Sequence, residues 1–121
     1  MDLNDLRIYN QSIEIGEFIW KLVIKWDYFS KDTVGKQLVR STDSISANIS
    51  EGFGRYHFKD NRNFLFYARG SLYETNTWLT KAYNRKLLEE PEYNDINAQL
   101  KDLGIKLNNY IKTIGKTKAT K

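Results

Sequence analysis

The segment SISANISEGFGR, Ser44 to Arg55, sets hydroxyls, an amide, a carboxylate and a guanidinium around Ile45 and Ile49. Three chemistries use such groups. Gly52 and Gly54 give G-x-G, but no third glycine completes a dinucleotide fingerprint, no strand precedes it, and the lysine–hydroxyl pair of a P-loop is missing. A nucleophilic Ser44 or Ser50 needs a base; the one histidine, His57, falls just past the expected helix end, and no carboxylate stands at a spacing that would orient it. A di-iron bundle needs Glu-x-x-His pairs on two helices, which a single histidine does not supply. Glu51 and Glu74, on different helices, could in principle share a Mg²⁺ ion. Pairing with a nearby arginine is the simpler role for them.

The fourth reading is geometric. At 100° per residue, Ser44, Asn48, Glu51 and Arg55 form a row about a quarter-turn from Ile45 and Ile49. With Arg40 and Glu74 they read as an ordered polar seam that serves subunit assembly or internal packing. A carboxylate beside Tyr67 and Trp78 calls for a cation, and Arg40 or Arg55 is the expected partner of Glu74.

Four periodic segments must carry this row. From about Asp5 to Phe29, Ile8, Ile15, Ile19, Leu22, Trp26 and Phe29 recur at steps of three, four or seven. Tyr9, Ile13, Trp20 and Val23 widen that band enough to serve more than one neighbour. Ser30 to Thr33 reads as a turn, with Thr33 the N-cap of a second helix that Gly52 and Gly54 end. Val34, Leu38, Ile45, Ile49 and Phe53 are its core face. Asp60 or Asn61 should cap a third helix, about Asn61 to Arg85, in which Phe64, Ala68, Ser71, Thr75, Trp78 and Ala82 line up, with Leu65, Leu72 and Leu79 beside them. Pro91 suits the start of a fourth helix. Its heptad is Tyr93, Ile96, Leu100, Leu103, Leu107, Tyr110 and Ile114, and Gly115 should close it. The expected fold is all-α, an antiparallel up-and-down four-helix bundle over residues 1–115 followed by a basic disordered tail, 116–121.

Composition narrows the classes further. A chain of 121 residues suits one domain, and 40% hydrophobic with 14% aromatic residues is too much for a disordered one. The absence of cysteine and the single histidine exclude a disulfide scaffold, a thiolate zinc site and a multi-histidine metal site within one subunit; no cofactor is expected. No apolar run approaches the roughly 18 residues of a bilayer span, and the polar, acidic start MDLNDLRIYN is unlike a signal peptide, so no membrane contact and a cytoplasmic location are expected. Residues 1–111 carry 15 basic and 15 acidic side chains, so the net charge of +4 comes from Lys112, Lys116, Lys118 and Lys121.

Two longer stretches, QLVRSTDSISANISEGFGR and FLFYARGSLYETNTWL, resemble the signature of the 23S ribosomal RNA intervening-sequence proteins. The shared features are Gln37-Leu38-x-Arg40, Ser44-Ile45-x-x-Asn48-Ile49-x-Glu51-Gly52 and Gly70-Ser71-Leu72-x-Glu74, and the likeness extends to about Ile114. The family often has Phe-Pro in the first link, where this chain has Phe29-Ser30. The resemblance implies a four-helix bundle assembled as a ring-like homo-oligomer, commonly a homopentamer, of largely unknown role. The accessory variability determinant of diversity-generating retroelements is similar too, which implies nucleic-acid binding and a protein partner. The family offers no catalytic residues.

The expected function is a non-enzymatic oligomeric scaffold that binds RNA or an RNA-processing protein. Basic residues interleaved with aromatics in RYHFKDNRNFLFYARG, namely Arg55, Lys59, Arg62 and Arg69 with Tyr56, Phe58, Phe64, Phe66 and Tyr67, could engage phosphates and unpaired bases, helped by Lys112, Lys116, Lys118 and Lys121. The bland alternative is that Phe64 and Tyr67 pack and the arginines serve subunit contacts. A second function reading is a protein-binding adaptor ring without nucleic-acid contact.

Overall fold

Ile8, Ser12, Ile15, Ile19 and Val23 fall at steps of three and four and bury one stripe of α1, Arg7–Val23. Ahead of it a 3₁₀ turn, Leu3–Asp5, is closed by a capping box: Asp2 accepts the Leu3 N–H at 2.8 Å and Asp5 accepts the Asp2 N–H at 2.9 Å. α1 stops at Val23 instead of running on to Phe29. The reason is Asp27, whose carboxylate accepts the Ser30 backbone N–H at 3.2 Å and the Ser30 hydroxyl at 2.7 Å, and so starts a new helix. Trp26 remains packed on the core, while Phe29 is 74% exposed. Ser30 to Thr33 is thus helix and not turn, and Thr33 is no cap: its hydroxyl donates back to the Phe29 carbonyl at 2.7 Å.

The new helix is α2, Tyr28–Ser30, which passes into a π-helical turn, Lys31–Gly35, and then into α3, Lys36–Phe53. Ser30, Lys31, Gly35 and Lys36 all have right-handed helical backbone angles, so the three pieces form one rod. In the π turn the Lys36 N–H reaches the Lys31 carbonyl, five residues back. Gly35 lies there because a Cβ would come within 2.7 Å of Val23 Cγ1.

α4, Phe58–Asn84, begins after His57, with Asp60 and Asn61 inside its first turn rather than capping it. Its end is a Schellman motif: Leu87 N–H bonds the Ala82 carbonyl at 2.9 Å and Lys86 N–H bonds the Tyr83 carbonyl at 3.0 Å. The motif requires a left-handed residue, and Lys86 supplies it at φ 63°. α5, Glu90–Ala119, takes Pro91 in its first turn and runs past Gly115. The computed structural model describes residues 1–119, with side chains described to Ile114; the side chains of Lys116, Lys118 and Lys121 lie outside the described residues.

Short links make consecutive rods antiparallel neighbours: α1 packs on α3, α3 on α4, α4 on α5, and α5 returns to α1, so the rods form a square. Among the described residues there is no strand. Ile15, Ile19, Leu38, Ile45, Ile49, Leu65, Leu79, Leu100, Leu103 and Leu107 fill its centre, each 2% exposed or less. Burial of each such side chain contributes about 1.5–3 kcal/mol. No helix among the described residues is long and apolar enough to cross a membrane.

Candidate functional site

The polar row lies where α3 meets α4, and its groups are bonded to one another. Arg40 Nη2 donates to Gln37 Oε1 at 2.8 Å on its own helix and pairs with Glu74 Oε2 at 2.7 Å across the interface. Arg40, not Arg55, is therefore the partner of Glu74. The Trp78 indole N–H donates to the same Glu74 oxygen at 3.1 Å, and the Lys81 ammonium sits 4.7 Å over the Trp78 ring. One helical turn on, Ser44 and Ser71 hydroxyls meet at 2.9 Å, and the Asn48 amide donates to the Ser44 carbonyl at 2.9 Å and hydroxyl at 3.0 Å. Glu51 pairs with Arg55 at 2.9 Å, four residues along α3, and the Arg55 guanidinium rests 4.7 Å over the Phe64 ring, which meets Tyr67 edge-on.

The seam thus holds α3 to α4 within one chain. Its two acids carry arginine partners, and the Ser44 hydroxyl has another hydroxyl and an amide beside it. His57 stands past the end of α3 with its ring against Tyr56, centroids 5.0 Å apart. No three acidic or histidine side chains converge among the described residues. Gly52 plays a different part from the expected helix stop. It lies inside α3, where a Cβ would come within 2.8 Å of Asn61 Oδ1, 2.9 Å of the Asn61 carbonyl and 3.0 Å of Phe64 Cβ, so it lets α4 approach. Gly54 is the C-cap, in right-handed backbone.

Sequence reading missed three members of the seam, Ser41, Ser71 and Thr75. Thr75 donates to the Ser71 carbonyl at 2.8 Å and lies 3.1 Å from the Ser41 hydroxyl, both side chains being buried. The signal was present as Ser41/Ser44 facing Ser71/Thr75, a small polar ladder on two helices.

The basic and aromatic residues divide between two places. At the end of the bundle where α3 passes to α4, Tyr56 is 94% exposed. Phe53, Arg55, Tyr56, His57, Tyr110 and Ile114 border a hollow of about 410 Å³ there. Lys59, Arg62 and, from α5, Lys112 belong to the same end and have no acidic partner among the described residues. Arg69 points elsewhere: it donates to Asn108 Oδ1 at 3.2 Å and covers the Phe66 ring at 4.8 Å. This ties α4 to α5 beside a groove of about 420 Å³ lined by Leu72, Tyr73, Leu100, Lys101 and Ile105.

Across the square, the α1–α3 side exposes Ile13, Trp20 and Ile24; Ile13 and Trp20, which widened the apolar band of α1, thus lie outside the core. The Asp43 carboxylate lies against the α1 backbone, its Oδ1 3.0 Å from where a Gly16 Cβ would stand. Partial burial, and then the negative Glu17 nearby, push its carboxyl above the ordinary 3.8. Neither acid has a hydrogen-bond or ion-pair partner among the described residues.

Four antiparallel rods pinned by an internally bonded polar seam define an all-helical bundle protein. This chain belongs to the 23S rRNA-intervening sequence protein family, whose model matches residues 4–109. Among solved structures it is similar to a protein of unknown function from the S23 ribosomal protein family of Bacteroides thetaiotaomicron VPI-5482. The two share 26% identity over 87% of this chain and 98% of that one, with a TM-score of 0.78. A search of curated proteins found no match.

Proposed function

We propose that this protein is a non-enzymatic scaffold that assembles as a ring-like homo-oligomer, a homopentamer, and binds RNA at one end of the bundle. The observation that carries the RNA reading is the exposed Tyr56 beside Lys59, Arg62 and Lys112, cations with no acidic partner among the described residues. Lysine and arginine bind phosphates, and an exposed ring stacks on an unpaired base. The last ten residues of the sequence carry four lysines, Lys112, Lys116, Lys118 and Lys121, and a ring multiplies every such contact. The family's name ties it to an intervening sequence of 23S rRNA.

Filter binding of a single-stranded RNA at two salt concentrations tests this. Affinity should fall as salt rises, and Lys59→Glu with Lys112→Glu should weaken binding at least tenfold while the fold is kept. Absence of binding by the intact oligomer at low salt would remove the RNA reading. A second reading, a protein-binding adaptor ring, draws support from Tyr28 and Phe29, both largely exposed at the opposite end. Partners retained after nuclease treatment would favour it. Equal turnover in wild type, Glu51→Gln and Glu74→Gln would dispose of a hydrolase built on those acids.

A further inference from the structure

Resting on the ring reading above, we infer that copies of this chain join head to tail, the α1–α3 face of one seated on the α4–α5 groove of the next, with Glu17 and Asp43 meeting Lys101. Four observations meet in this. The two faces are opposite sides of the square, because α1 packs on α3 and α5 while α4 packs on the other sides of the same two rods. Both faces leave large apolar side chains in water: Trp20 is 53% exposed on one, and Tyr73 and Ile105 are 63% and 62% exposed on the other.

Their charges are opposite. The α1–α3 face holds the unpartnered acids Glu17 and Asp43. The α4–α5 face holds Lys101 and Arg69, with no carboxylate within bonding distance among the described residues. Like would face like if either patch met itself across a two-fold axis, so a two-fold dimer through one patch is disfavoured and a heterologous contact is favoured.

The levels agree as well. Measured from the Tyr56 end at about 1.5 Å per residue, Glu17 and Asp43 stand about 15 Å up their helices, Ile105 about 14 Å and Lys101 about 20 Å. Trp20 and Tyr73 stand about 20 Å and 22 Å up. Neighbours can therefore match these groups by rotation about an axis parallel to the rods, with no step along it. A heterologous contact of that kind keeps neighbours in one plane, and it closes into a ring where the inclination of the two faces gives a rotation that divides a full turn. It also places every Tyr56 end on the same rim.

Sedimentation velocity on the full chain tests the pairing. Asp43→Lys alone and Lys101→Glu alone should each sediment as monomer, with helical content unchanged by circular dichroism. Asp43→Lys/Lys101→Glu in one chain should restore the wild-type species, because every contact then joins an acid to a base. Mixing the two single variants should restore a larger species through their alternating contacts, five subunits leaving one like-charged joint. A larger species that survives both single changes leaves the ring standing and overturns this pairing. Single variants that dissociate but are rescued neither by mixing nor by the double change also overturn it. Loss of RNA binding in Lys101→Glu with an unaltered oligomer would mark the groove as a nucleic-acid face instead, against the inference. A wild type that is monomeric at every concentration defeats the ring reading itself.

Discussion

The guanidinium of Arg40 stands 2.7 Å from the Glu74 carboxylate, and the same oxygen accepts the Trp78 indole N–H at 3.1 Å. One carboxylate thus serves two helices. Both members of the ion pair are substantially exposed, so Arg40→Met should cost at most about 1 kcal/mol. Glu74→Ala also takes the acceptor from the Trp78 indole and should cost more, about 1–2 kcal/mol. Urea unfolding of the two single variants and the double variant would separate the terms.

Gly52 and Gly70 should respond in opposite senses to alanine. A Cβ on Gly52 meets backbone of α4 below 3.0 Å, and the helices must part, at about 1–3 kcal/mol. Nothing lies within 4 Å of a Cβ on Gly70, in mid-helix, so Gly70→Ala should stabilise by up to about 1 kcal/mol. Thermal unfolding of both variants reads the difference directly.

Lys86 holds a left-handed position that glycine adopts without a steric penalty. Lys86→Gly should raise stability by about 1 kcal/mol, and Lys86→Val should lower it, by urea titration.

Acid should act on the fold through carboxylates of opposite sense. The Ser30 hydroxyl and then the Ser30 N–H hold Asp27 below 3.8, and the Lys106 and Gln11 hydrogen bonds hold Asp102 below it. Each favours the folded state above the unfolded value and loses that contribution as pH falls through the folded one. Asp43 is raised, so its ionisation opposes folding. That cost is absent below 3.8 and sets in as pH rises through the raised value. Asp43→Asn should therefore stabilise the monomer at pH 7 and have no effect at pH 3, whereas Asp27→Asn should destabilise at pH 7 and less so at pH 3. Urea midpoints at the two pH values, in a background that does not associate, check both signs.

Much of this fold is written in its apolar spacing. Leu100, Leu103, Leu107 and Ile114 recur at steps of three, four and seven because one helix face meets one core, and these residues are buried as the spacing predicts. Boundaries were harder. Thr33 and Asp27 are both competent caps, and only packing of Trp26 and Gly35 against the end of α1 decides for Asp27. In α1, Trp20 matches a core residue by hydropathy but falls on the α3-side flank, and nothing local distinguishes a residue facing a neighbouring rod from one facing outward. The polar row was visible as a row; its partners Ser71, Glu74 and Thr75 sit about thirty residues away, and their register is set by the α3–α4 contact that Gly52 permits.

The π turn between Lys31 and Gly35 contains one residue more than an α-helical path would use. Deleting a single amino acid there lets the rod close with ordinary geometry and leaves Leu38, Ile45 and Ile49 facing inward. The same deletion in the middle of α4 would swing every later side chain by about 100°. Length variation among kindred sequences has a natural place to accumulate at this joint, and an alignment that opens a gap anywhere else in the rod would misplace the whole α3 interior.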